Sequence, residues 1–149
     1  MKKSFPLFRF ILTILLLCAV IFGVYLSNVS SSLTASGNCD LTSDACAPLV
    51  FNQTVRVNFE QPPVAEEELF LQFSQNDGLS IQNVWIEGVN MYMGKTPVLF
   101  EDPSQTGRAV TFLGSCNLSE MQWALYANIK NNATSEVALV KFTFSTYQD

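Results

Sequence analysis

The sequence of 149 residues is long enough for one domain with an added segment, but too short for two ordinary domains. Hydrophobic residues make up 48% and charged residues only 14% of the chain, which argues against intrinsic disorder. A net charge of −5 argues against nucleic-acid binding, which needs a basic surface. Histidine is absent, which excludes Ser-His-Asp and Cys-His catalysis and HExxH zinc sites.

The charges divide the chain into two parts. Residues 1–26 contain Lys2, Lys3 and Arg9 and no acidic residue, so all 13 acidic residues fall in the rest of the chain. The stretch from Phe10 to Leu26 is uncharged, and as a helix it would cover about 26 Å, close to the hydrocarbon thickness of a bilayer. We therefore expect a transmembrane helix over 10–26. The positive-inside rule makes residues 1–9 a cytoplasmic basic tail and places residues 27–149 outside the cytoplasm.

Two other interpretations of the N-terminal segment stay open. A cleaved signal peptide is one, although its apolar region is usually about 7–15 residues long and no A-x-A precedes a cut near Val29 or Ser31. A lipoprotein signal is the other, suggested by Leu16-Leu17-Cys18, although Leu17 is large for the position before a modified cysteine. A retained anchor is the interpretation that we favour.

The remainder of the chain predicts a tether and one folded domain. Residues 27–38 are rich in Ser, Thr, Asn and Gly, which is typical of a flexible tether. In 39–149, and clearly from residue 50 onward, apolar and polar residues alternate, which predicts seven or eight strands spaced by roughly ten residues and no amphipathic helix. We therefore predict an all-β, immunoglobulin-like antiparallel β-sandwich following the transmembrane helix. The apolar positions that define the strands include Val55, Val57, Phe59, Leu69, Leu71, Phe73, Ile81, Val84, Ile86, Val98, Phe100, Val110, Phe112, Met121, Trp123, Leu125, Ala127, Ile129, Ala138, Val140, Phe142 and Phe144.

Three further features of the strand pattern can be checked. The spacing of Ile81, Val84 and Ile86 slips by one residue, which predicts a β-bulge. The aromatic residues of the alternating pattern are expected in the core. Trp85 and Trp123 are both expected to be core or subcore residues.

Three cysteines lie beyond the apolar segment: Cys39, Cys46 and Cys116. Outside the cytoplasm a disulfide is expected, and three thiols cannot all pair within one chain. A Cys39–Cys46 bond closes a short loop and is favoured by encounter probability, whereas Cys46–Cys116 closes a long loop and is favoured by chain entropy. We favour Cys39–Cys46, which leaves Cys116 as a thiol.

The segment Gly88-Val89-Asn90-Met91-Tyr92-Met93-Gly94 carries the chemistry of most interest. Met91 and Met93 are two residues apart, so in a strand they would point to the same face. Thioether and thiolate sulfurs are soft ligands that select Cu(I), and Met91, Met93, Cys116 and Met121 are the candidate metal ligands. The competing interpretation is that the methionines fill the core.

These motifs together resemble a family of small, mostly uncharacterised proteobacterial proteins with one N-terminal anchor and a periplasmic β-domain. The shared pattern is two nearby cysteines, a G-x-x-M-x-M-G segment, and a later cysteine followed by M-x-W. The chain matches it at Cys39 and Cys46, at Gly88 to Gly94, and at Cys116 with Met121-Gln122-Trp123. It departs from it at Gly114-Ser115, where the family has Leu-Pro.

The layout is similar to that of FixH-like and other membrane-anchored sandwich proteins associated with cytochrome oxidase and copper handling. The resemblance implies a bacterial inner-membrane protein with a periplasmic domain that handles Cu(I) during oxidase assembly and meets a membrane-protein or copper-chaperone partner. The alternative is a non-catalytic interaction module that binds a membrane-protein partner. No enzymatic activity is expected, and thiol–disulfide exchange is disfavoured because Cys39 and Cys46 lack the C-x-x-C spacing.

Overall fold

The structure is a computed structural model that describes residues 5–27, 33–42, 46–115 and 117–148. Side chains are described for 10–22, 39–42, 46–115 and 117–148. The chain divides into two compact units, Met1–Ser31 and Ser32–Asp149. Among the predicted site residues, Cys116 lies outside the described residues.

The described part of the first unit is a helix, α1 (Phe5–Ser27). Pro6 lies in its first turn, where the missing N–H of proline costs no helical hydrogen bond. The side chains from Phe10 to Phe22 are exposed. Within the described part of the chain, no helix is both long enough and apolar enough to cross a membrane. The transmembrane role of 10–26 stays a prediction.

The second unit is an all-β sandwich, as predicted. One sheet has the strand order β1-β10-β9-β5-β6 and the other has the order β2-β3-β4-β8-β7. All neighbouring strands are antiparallel except β1 and β10, which run parallel. The strands are β1 (Leu33–Asp40), β2 (Leu49–Val50), β3 (Gln53–Phe59), β4 (Glu68–Gln75), β5 (Leu79–Gly88), β6 (Lys95–Pro97), β7 (Leu99–Phe100), β8 (Gly107–Phe112), β9 (Glu120–Asn131) and β10 (Val137–Tyr147).

Alternating residues of both sheets face inward and form the core, because successive side chains of a strand point to opposite faces. The predicted bulge in β5 is confirmed by a register shift between Ile81 and Asn83, which returns Val84 and Ile86 to the buried face. The core includes Val55, Val57, Leu69, Leu71, Phe73, Ile81, Val84, Ile86, Met121, Trp123, Leu125, Ala127, Ile129, Ala138, Val140, Phe142 and Phe144.

Trp123 is one of the buried aromatic residues, as predicted. Its side chain is 2% exposed, and its indole Nε1–H donates a hydrogen bond to Thr146 Oγ1 at 3.0 Å. Thr146 is the buried polar partner from β10, so the indole N–H is satisfied inside the core. Met121 and Leu125 are buried on the same face of β9, as the alternation predicted.

The segment predicted as a flexible tether, residues 27–38, is in part a strand. Leu33 to Asp40 form strand β1, which pairs with β10 from Ala138 to Thr143. The sequence of β1, LTASGNCD, has the small polar residues of a linker. Its strand conformation therefore comes from pairing with a distant segment of the chain, which local composition does not reveal.

The inward face of β8 also differs from the prediction. Val110 is only half-buried and Phe112 is 50% exposed, whereas Ala109, Thr111 and Leu113 are buried. The buried Thr111 hydroxyl donates to the carbonyl oxygen of Pro97 at 3.0 Å, which compensates for its burial. The strand was predicted correctly, but its register was wrong by one residue, which exchanges its two faces.

Candidate functional site

The predicted metal-ligand segment forms a loop at one end of the sandwich. Residues 88–94, which we call the Met loop, begin at the last residue of β5 and end just before β6. Met91 and Met93 therefore lie in a loop. The argument that they point to the same face assumed a strand, so it does not apply. Gly94 has a φ of +74°, a conformation that glycine adopts without strain, and it lets the loop turn into β6.

The side chain of Asn90 fastens the Met loop to β9. Its Nδ2 donates a hydrogen bond to the carbonyl oxygen of Glu120 at 3.0 Å, and its Oδ1 accepts one from the backbone N–H of Gln122 at 3.0 Å. The backbone N–H of Val89 donates to the carbonyl oxygen of Gln122 at 2.8 Å. The Asn90 amide thus takes the place of a strand residue and extends the contact between β5 and β9 into the loop.

Gly88 lies in close contact with the main chain of Met91 and with the side chain of Met121. A Cβ at this position would overlap the carbonyl oxygen of Met91 and would lie 2.5 Å from the Cε methyl of Met121. Met121 is buried at 2% exposure, whereas Met91 is 39% exposed. The absence of a side chain at Gly88 therefore lets a buried thioether of β9 lie beneath the turn that carries an accessible one.

Met93 contacts a different loop of the same end. Its side chain is partly buried against the core, and its Cε methyl would lie 2.7 Å from a Cβ at Gly114. Gly114 follows β8 and stands two residues before Cys116 in the sequence. The structure thus brings Met93 to the segment that carries the predicted thiol, although the position of Cys116 itself is not described.

The described geometry places the three predicted methionines in or beneath the Met loop without specifying a metal. Met91 and Met93 belong to the loop, the methyl group of Met121 lies beneath Gly88, and of the three only Met121 is fully buried. The competing interpretation, in which both methionines fill the core, does not fit Met91, which is 39% exposed. In the described part of the chain, no group of three cysteine or carboxylate side chains is placed to hold a metal ion.

The disulfide predicted between Cys39 and Cys46 is confirmed. Their Cα atoms are 5.4 Å apart, and both side chains pack against the core. Cys39 lies near the end of β1, opposite Phe142 of β10. The bond ties the end of β1 to Cys46, which lies just before β2. Asp40 accepts hydrogen bonds from the N–H and the hydroxyl of Thr42 at 2.9 and 2.6 Å, which turns the chain directly after β1.

A second surface lies on the outer face of the β1-β10-β9-β5-β6 sheet. Trp85 stacks on its cross-strand neighbour Tyr126, with ring centroids 5.4 Å apart and planes inclined by 17°. The ammonium of Lys95 lies 4.8 Å from the Trp85 ring, and that of Lys141 lies 6.0 Å from the Tyr126 ring. Trp85 is thus half-buried on the outer face and is not part of the inner core, so of the two predicted positions, core or subcore, only the second fits it.

Sequence reasoning identified the methionines but missed the residues that position them. Asn90, Gly88 and Gly114 carry no signal by themselves, because Asn and Gly are ordinary loop residues. Gly88 opens the G-x-x-M-x-M-G segment. Its role as the contact point for Met121 depends on β9, which is distant in sequence.

Comparisons of the chain with protein-family models, with curated proteins and with solved structures found no match.

Proposed function

We propose that this chain is a membrane-anchored, exported accessory protein that holds Cu(I), delivers it during cytochrome oxidase assembly, and has no catalytic activity of its own. The proposed ligands are the sulfur atoms of Met91, Met93, Cys116 and Met121. The observation that carries this proposal is that the Met loop holds Met91, which is accessible to solvent, and Met93, which is partly buried, while the methyl group of the buried Met121 lies beneath Gly88 of the same loop. Soft sulfur ligands prefer Cu(I), and the chain contains no imidazole to compete with them.

The cysteine pairing supports the same proposal. Cu(I) binds a thiolate, whereas a disulfide sulfur is a poor ligand. Because Cys39 and Cys46 bond to each other, Cys116 is not needed for that disulfide. Met93 then offers a thioether beside Gly114, close in sequence to this thiol.

The proposed site suits transfer of the ion rather than its permanent storage. Met91 is accessible, so a partner's sulfur ligand can replace it without unfolding the sandwich. Met121 is held by core packing and stays in place. Transfer of this kind moves Cu(I) between sulfur ligands with no change in oxidation state. The proposed recipient or donor is a membrane protein or a copper chaperone.

The exported, anchored state and the immunoglobulin-like topology are part of the proposal. The uncharged stretch 10–26 and the preceding basic residues support an inner-membrane anchor with a periplasmic domain. The orders β3-β4-β8-β7 and β10-β9-β5-β6 support an immunoglobulin-like arrangement, because they have the sequence A-B-E-D in one sheet and G-F-C-C′ in the other. A reporter enzyme that is active only in the periplasm should be active when fused after Asp149. A mature N-terminus near Ser32 would show that the N-terminal segment is a cleaved signal peptide and not an anchor.

An anaerobic titration tests Cu(I) binding directly. The full chain in detergent is titrated with Cu(I) in the presence of a chromogenic Cu(I) chelator. We expect one equivalent of Cu(I) to be withheld from the chelator. If the chelator takes up all the copper at every ratio, the copper proposal is wrong.

The second candidate is an interaction module without metal. The Trp85–Tyr126 stack on the outer sheet face, with Lys95 and Lys141 at its two sides, favours this function, because Trp and Tyr are enriched in protein interfaces. Replacing Trp85 and Tyr126 by Ser would abolish capture of a membrane partner if this function is correct. The same change would leave Cu(I) retention intact.

A further inference from the structure

The three methionines of the proposed copper site differ in their exposure to solvent. Met91 is 39% exposed, Met93 is partly buried against the core, and Met121 is only 2% exposed. A dissolved oxidant reaches an exposed thioether much more readily than a buried one. Of these three residues, Met91 is therefore the one whose sulfur can be modified from outside the folded domain.

The main chain around Met91 is held by contacts that do not involve the Met91 thioether. The amide of Asn90 exchanges hydrogen bonds with the main chain of Glu120 and Gln122, each at 3.0 Å. The carbonyl oxygen of Met91 lies against Gly88, where a Cβ would overlap it. A change in the polarity of the Met91 side chain therefore leaves the fastening of the Met loop in place.

Met121 is protected by its position in the core. It belongs to the buried core cluster, and its methyl group lies beneath Gly88. Oxidation would turn its thioether into a polar sulfoxide, and burying a polar group without a hydrogen-bond partner destabilises a fold. Solvent access and stability therefore both direct oxidation to Met91 rather than to Met121.

Oxidation of a thioether by a hydroperoxide is a two-electron step. The sulfur takes one oxygen atom from hydrogen peroxide, so an S–O bond forms while the O–O bond breaks. The thioether is oxidised to a sulfoxide, the peroxide is reduced to water, and no proton is left over. The sulfoxide offers a hard oxygen donor in place of a soft sulfur, and Cu(I) prefers soft ligands.

We propose that Met91 is a redox modification site, which a hydroperoxide converts to the sulfoxide so that the Met loop releases Cu(I). The inference rests on the proposed copper function and adds its regulation. Met93 and Met121 stay thioethers in the modified chain, so the domain keeps its fold and loses only its accessible ligand. A thiol-dependent methionine sulfoxide reductase would regenerate the Met91 thioether, because this oxidation is reversible.

The first measurement identifies which methionine is oxidised. The full chain in detergent is treated with hydrogen peroxide, without copper, at about pH 5, where the thiolate that reacts with peroxide is scarce and the cysteines are spared. Peptide mass spectrometry follows the gain of one oxygen atom at each methionine and checks the Cys116 peptide. We expect Met91 to be oxidised several times faster than Met93, and about tenfold or more faster than Met121.

The second measurement is Cu(I) retention after the peroxide has been removed. In competition with a chromogenic Cu(I) chelator, the oxidised chain should bind Cu(I) about tenfold or more weakly than the untreated chain. Its near-UV circular dichroism should be unchanged. Met91→Leu is the matched variant, and it should hold Cu(I) equally weakly before and after peroxide, because leucine has no sulfur to oxidise. Met93→Leu should remain sensitive to peroxide.

The outcomes separate this inference from the copper function. If the untreated chain withholds no Cu(I) from the chelator, the copper function is wrong and the inference falls with it. If the untreated chain retains Cu(I) and the chain with oxidised Met91 retains it equally well, only the inference is overturned. Oxidation of Met93 or Met121 as fast as Met91 also overturns it. A peroxide-induced loss of retention in Met91→Leu does so too, because the sensitive group would then be another residue.

Discussion

The terminal methyl group of Met121 lies directly beneath Gly88, so that a Cβ at Gly88 would be only 2.5 Å from it. The same Cβ would overlap the carbonyl oxygen of Met91. This contact joins the buried part of β9 to the exposed Met loop through a glycine. The geometry of the proposed copper ligands therefore depends on a residue that has no side chain.

Replacing this glycine should disturb the loop more than a similar replacement elsewhere. Gly88→Ala should destabilise the fold by about 1–3 kcal/mol, because the backbone of Met91 has to move. Gly114→Ala is the matched control, and it should cost less, since its close neighbour is the flexible end of Met93. Urea denaturation of the full chain measures both free energies of unfolding. Equal costs for the two variants would contradict the close approach at Gly88.

The buried indole of Trp123 should contribute strongly to stability. Trp123→Ala should cost about 3–5 kcal/mol, the usual penalty for removing a large core aromatic. Thr146→Val should cost about 1–3 kcal/mol, because it leaves the indole N–H without its acceptor. Chemical denaturation followed by near-UV circular dichroism measures both. A loss below about 1 kcal/mol for Trp123→Ala would place the indole outside the core.

Removal of the disulfide should weaken the fold moderately. Cys39 and Cys46 close a short loop, and the chain-entropy model gives about 2.5 kcal/mol for the bond. The double variant Cys39→Ser/Cys46→Ser should lose about that amount of stability in urea. Peptide mapping without reduction should recover the two cysteines in one linked fragment and Cys116 as a thiol. A bridge to Cys116 would contradict the structure and remove the proposed thiolate ligand.

Asn90 should affect the Met loop without affecting the core. Asn90→Ala removes the hydrogen bonds to Glu120 and Gln122 and should loosen the loop, so Cu(I) retention should fall about tenfold or more. Asn90→Asp keeps the acceptor for the Gln122 N–H and should have an intermediate effect. Chelator competition measures retention, and urea denaturation should show a loss of no more than about 1–2 kcal/mol. Unchanged retention in Asn90→Ala would mean that loop order is irrelevant to binding.

The sequence predicted the sandwich mainly where strands are amphipathic. The alternation of Met121, Trp123 and Leu125 revealed β9, and the slip after Ile81 revealed the bulge. Such patterns are local and arise because one face of a strand is buried. Strand β1 was missed because its residues are small and polar, and its conformation depends on a parallel partner about a hundred residues later.

The candidate site follows from residue types in the sequence, but the way it is built does not. Sulfur-containing side chains could be identified in the sequence as candidate ligands, whereas the loop conformation of Met91 and Met93 could not, since an M-x-M pair fits a strand equally well. In β8 the sequence favoured Val110 and Phe112 as the buried residues, because they are more apolar than Thr111, and the buried face was therefore assigned wrongly. The hydrogen bond that makes a buried Thr111 acceptable is visible only in three dimensions.

The most direct test of the copper proposal is Cu(I) retention by the double variant Met91→Leu/Met93→Leu. Leucine has a similar volume, so the fold should be kept, which near-UV circular dichroism can verify. The exposed Leu99→Met, which adds a thioether away from the Met loop, is the control for non-specific sulfur binding. The account predicts that the double variant loses Cu(I) to a competing chelator while Leu99→Met retains the same single equivalent as the unsubstituted chain. Undiminished copper retention by the double variant would contradict it.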